Sequence, residues 1–125
     1  MADPAFALTH PADDHQEAAF LAAWKAAIKL TGHPTWFGVH TPHELDGHAQ
    51  LHRLAPRVPQ ISKQIREIPQ SQAALVAAMV GLFNPAEGAA LAAKAATSGL
   101  GTLVLAMNER QRQAVCELIT HYKGW

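Results

Sequence analysis

Only one cysteine, Cys116, occurs in 125 residues, so neither an intrachain disulfide nor a cysteine-spaced zinc motif is available. A reducing compartment, the cytoplasm, is the expectation. Long apolar runs are also missing. The longest candidate, Ala73 to Phe83, is about half of the ~20 residues a membrane crossing needs. The opening stretch MADPAFALTHPADDH lacks the basic start and greasy centre of a secretory signal, so export is not expected.

Charge of one sign is absent as well: ten Lys plus Arg balance ten Asp plus Glu. No global field then draws the chain to nucleic acid or an anionic membrane, and neither is expected as a partner. No stretch alternates apolar and polar residues in the way a half-buried strand would. A Gly-rich phosphate loop, a Ser/His/Asp set, a spaced carboxylate pair and an internal repeat are missing too, so no catalytic motif marks the chain as an enzyme.

What is present is alanine and helical spacing. Of the 49% hydrophobic residues, 25 are Ala, which favours helix but brings little apolar area. Asp14 and Glu17 have the form of a capping box ahead of Phe20, Leu21, Trp24 and Ile28, predicting a first helix from about His15 to Leu30. Residues 1–12 then form a flexible arm and 13–125 one helical domain. Thr41, Pro42 and Glu44 start a second helix that should reach Ala55, before Pro56. Val58, Ile61, Ile65 and Ile68 mark a third, and Ser71 can cap a fourth ending before Asn84. Asn84, Pro85 and Glu87 open a fifth, to Ala96. Leu100 to Met107 is apolar and reads equally as helix or buried strand. Asn108 with Gln111 begins the last helix, whose Val115, Leu118, Ile119 and Tyr122 form the expected inward stripe. The fold class is all-α, an orthogonal or irregular bundle of five to six short helices.

The one cluster with chemical suggestion is HTPHELDGHAQLH, His40 to His52, which holds four of the eight histidines. On a continuous helix turning about 100° per residue, Glu44, His48 and His52 share one side. A carboxylate and two imidazoles so placed, with His40 or His43 adding a ligand, suit Zn²⁺, Ni²⁺ or Fe²⁺, so a divalent transition metal is the one cofactor suggested. The stretch is not a zincin motif, because His43 and His48 are five apart and diverge on a helix. The same residues also suit a partly buried helix surface with no ligand, or a pH-sensitive face.

Two further features point to contacts. Arg53, Arg57, Lys63 and Arg66 run without an acid until Glu67; such a patch meets phosphate or an acidic protein surface, or is simply a solvated face. Trp36 and Phe37, beside Gly38, read either as a partner anchor or as filling between helices. Cys116 reads as a passive semi-buried thiol, and Trp125 as packed near Tyr122 or exposed. The expected role is a protein-protein interaction or accessory module, acting on a protein partner or by self-association, with Trp36, Phe37, Arg53 and Arg57 as interface residues. The competing expectation is a metal-binding protein using Glu44, His48, His52 and His40.

Overall fold

Thr41, Asn84 and Asn108 each place a side-chain oxygen where a helix begins. In a computed structural model of the protein, each accepts a hydrogen bond from the backbone N–H three residues on, of Glu44, Glu87 and Gln111. Capping of this kind satisfies one of the donors every helix start leaves free. The structure describes residues 4–48 and 50–125, and side chains from Glu17 onward except that of Pro42. The described residues form seven α-helices: α1 Pro4–Thr31, α2 Pro42–Gly47, α3 Val58–Gln64, α4 Gln70–Phe83, α5 Pro85–Lys94, α6 Leu100–Ala106 and α7 Glu109–His121. Short 3-10 turns at Pro34–Phe37, Leu51–Leu54 and Ile65–Glu67 join the first four. No strand occurs among the described residues, so the chain is all-α.

The strongest cap opens α7. Asn108 Oδ1 accepts from Gln111 N at 2.9 Å, and Gln111 Oε1 accepts from Asn108 N at 2.8 Å. Gln111 is 4% exposed, so water cannot replace these bonds. Asn108→Ala is expected to lower stability by about 1 kcal/mol, read as a melting temperature lower by about 4 °C in a thermal denaturation scan.

α4 is the hub. Its residues Ala73 to Ala77, Met79 and Val80 are all buried, more than the single stripe of Leu75, Val76, Met79 and Phe83 suggests. A helix apolar all round belongs inside, and α5, α1, α6 and α7 pack around it. α7 packs along α1. Trp24, Ile28, Trp36, Phe37, Leu45, Leu54, Ile61, Ile65 and Leu118 join the same apolar cluster. Trp125 packs edge-on to Trp24 and Phe83, with centroids at 4.9 and 5.0 Å.

Several boundaries differ from expectation. α1 begins at Pro4, not near His15, so residues 4–12 are helical and Asp14 lies within the helix instead of capping it. Proline is well suited to a first helical position, whereas Pro11 sits inside and forgoes one backbone bond. Residues 1–3 of the expected arm lie outside the described residues. α4 starts after Pro69 with no side-chain cap from Ser71. α5 stops at Lys94, where Ala96 takes a left-handed φ of 57° and Thr97 N donates to Ala92 O at 2.8 Å. On α7, Leu118 is buried and Val115 half-buried, but Ile119 is 60% exposed and Tyr122 41%. Gln111 takes an inward place instead, because its amide oxygen is already satisfied by the cap.

Candidate functional site

The helix from Thr41 starts as its cap and proline dictate but ends at Gly47, and His48 leaves it with φ −73° and ψ 129°. Aspartate and glycine are poor helix formers. Next to the break Leu45 is 2% exposed in the core, while the exposed Asp46 Oδ1 accepts from the exposed Lys29 Nζ at 3.2 Å. The chain resumes in the 3-10 turn Leu51–Leu54, which buries Leu54.

This break separates the expected metal trio. Glu44 is on α2, His48 follows its end, and His52 lies in the next turn, so they do not share a helix face. Glu44 Oε2 accepts from His40 N at 3.4 Å, a local use of the carboxylate. His40, His43 and His52 are exposed and His48 is half-buried. Among the described residues no group of three or more His, Cys, Asp or Glu is placed to hold a metal ion.

Trp36 and Phe37 are 1% and 0% exposed, so they fill the core and offer no surface anchor. Trp36 Nε1 donates to Gln64 Oε1 at 3.1 Å, and His33 stacks on its ring with centroids 4.2 Å apart. Arg53 and Arg57, by contrast, are exposed.

Two open grooves remain. One, about 730 Å³, lies between α1 and the C-terminal segment and is lined by Phe20, Leu21, Leu51, His52 and Trp125 among others. The second, about 920 Å³, runs between α1 and α7 over Ala19, Ala22 and Ala26, with Cys116, Glu117 and His121 along its edge. Binding pockets combine such volumes with converging polar groups. Among the described residues no buried side-chain nitrogen or oxygen is left without a partner, and the polar groups lining the grooves, such as Glu17 and His52 in the first and Arg110, Arg112 and Glu117 in the second, stand at open surfaces. His121 Nε2 lies 3.4 Å from Glu117 Oε2, and Cys116 is exposed. Lys94 Nζ donates to Ser62 Oγ and, at 3.3 Å, to Ser62 O. The exposed Lys94 thus ties α5 to α3, and the pair stands in neither groove.

The most unusual surface lies elsewhere. α6, LGTLVLA, has no charged residue and no buried one. Leu100 is 77% exposed and Leu105 80%, the two most exposed large apolar side chains among the described residues, with Ile119 on α7 next at 60%. Leu103 and Val104 are half-buried against the core and hold the helix in place. The sequence signal is the apolar run itself, which does not by itself say which of its sides the fold covers.

No helix of the described residues is long and apolar enough to cross a membrane. Comparison of the chain with protein-family models, with characterised proteins and with solved structures finds no match.

Proposed function

We propose that this is a protein-contact module that engages its partner through α6. The observation that supports it is the exposure of Leu100 and Leu105 on a helix without charge. Scattered single apolar residues are ordinary on a surface, but two leucines so fully exposed on one uncharged seven-residue helix are not. Fully covering a leucine contributes about 1.5–3 kcal/mol, so Leu105, the more exposed of the two, gives a partner an apolar anchor. Among the described residues no three His, Cys, Asp or Glu side chains are placed to hold a metal ion.

A photo-cross-linking amino acid in place of Leu105 tests this in cells producing the protein. A discrete adduct, with another protein or with a second copy, is expected, and it should disappear when Leu100→Ser and Ile119→Ser are added. Because these side chains face outward, the serine variants should unfold within about 0.5 kcal/mol of the parent. Absence of any adduct from Leu105 would remove the basis for the proposal.

A further inference from the structure

A second surface has the opposite chemistry. The fourteen residues from Arg53 to Arg66 contain Arg53, Arg57, Lys63 and Arg66 and no acid, and all four side chains are exposed. Neither the Lys29–Asp46 ion pair nor the His121–Glu117 contact involves any of them. Only Arg53 makes a side-chain hydrogen bond, from Nε to the neutral Gln50 Oε1 at 3.2 Å.

The fold brings two of these residues side by side. Arg57 N donates to Trp36 O at 2.7 Å, and a Cβ at Gly38 would lie 3.1 Å from the Arg57 guanidinium and 3.2 Å from the Arg53 carbonyl oxygen. The Arg57 guanidinium is therefore held over Gly38, with the Arg53 backbone next to it. Lys63 stands six residues along α3, about 9 Å of helical rise, and Arg66 follows in the next turn. Ile61 and Ile65 are buried and fix the inward side of this segment. Lys94, bound to Ser62, adds a fifth charge beside α3. The result is a cationic strip of chain, exposed from Arg53 to Arg66 with Lys94 beside it, on a molecule with no net charge.

The geometry points to docking of a short acidic segment of another protein along this strip. Arginine's planar fork matches carboxylates two oxygens at a time. The strip is bounded by acid, since Glu67 follows Arg66, while Glu44 is tied to His40, two residues from Gly38. A nucleic acid running past either end would set phosphates against those carboxylates. Trp36 and Phe37 are buried, so neither offers a platform on which bases could stack.

Fluorescence anisotropy with a short labelled glutamate-rich peptide, a single-stranded oligonucleotide and a duplex of similar charge tests the assignment on the full chain. The peptide is expected to bind, with affinity falling about tenfold or more between about 50 and 300 mM salt. The triple variant Arg53→Ala, Lys63→Ala, Arg66→Ala should weaken it by about tenfold or more with an unchanged circular dichroism spectrum. Arg110→Ala, on another helix, should leave it unchanged. No peptide binding at low salt, binding indifferent to the triple variant, or tighter binding of either nucleic acid would each overturn the proposal. Leu100→Ser with Leu105→Ser should leave peptide affinity intact, so failure of the α6 interface and failure of this strip are separable.

Discussion

Trp24→Ala is expected to be the most damaging single truncation in the core, lowering stability by roughly 4 kcal/mol or more. Trp24 is 0% exposed, and its ring meets Phe20, Phe37 and Trp125 at centroid distances of 5.9, 5.8 and 4.9 Å. Removing an indole from such a site leaves a void that rigid neighbours cannot close, a loss of about 3–5 kcal/mol. The indole Nε1 also donates to Leu54 O at 2.8 Å across thirty residues, so truncation strands a buried carbonyl, adding about 1–3 kcal/mol. Domains of this size are stable by only about 5–15 kcal/mol. Urea titration followed by circular dichroism should show a large fall in midpoint. Trp24→Phe separates the two contributions: it keeps an aromatic ring but not the donor, and should lose about 1–3 kcal/mol. If Trp24→Phe unfolds like the parent, the tie between α1 and the Leu51–Leu54 turn is not what secures that turn.

That tie also explains which parts of the structure could be read in advance. Helix starts at Thr41, Asn84 and Asn108 follow from a side chain acting on a backbone three residues away, information contained within a single turn. Apolar spacing likewise placed Phe20, Trp24, Ile28, Ile61, Ile65 and Leu118 inside. The histidine segment departs from the continuous helix its caps suggest because Asp46 and Gly47 favour an end to α2, and the buried bond from Trp24 to Leu54, thirty residues apart, holds the following turn separately, so the chain does not continue as one helix to Pro56. With the helix goes the shared face of Glu44, His48 and His52. Trp36 and Phe37 were equally good as anchor or filler from sequence. Burial beneath Arg57 decides it, through a backbone bond from Arg57 to Trp36. α6 was ambiguous for a different reason. An apolar run carries no record of how many of its sides are covered, and here Leu100 and Leu105 face away from the core.

Gly81 and Gly88 should respond to alanine with opposite signs, although both are helix-interior glycines in Ala-rich surroundings. A Cβ on Gly88 would lie 2.3 Å from Gly81 Cα, 2.5 Å from Gly81 N and 3.1 Å from Ala77 O. These are backbone atoms of α4, so no rotamer change relieves the clash, and α5 must move off the hub helix as a body. Overpacking of this kind costs about 1–3 kcal/mol, occasionally more, which outweighs the gain of about 1 kcal/mol that alanine brings to a helix interior. The separation would also loosen Leu91, 2% exposed on α5, which places Gly88→Ala at the upper end of that range or beyond it. A Cβ on Gly81 meets nothing within 4 Å, so Gly81→Ala keeps the propensity gain and should stabilise by up to about 1 kcal/mol. Urea titrations of the two variants and the parent measure both effects on one scale. Equal shifts in the same direction would mean that α4 and α5 do not approach through their glycines. Opposite shifts would show that Gly88 is retained for the space it leaves and not for any freedom of its backbone.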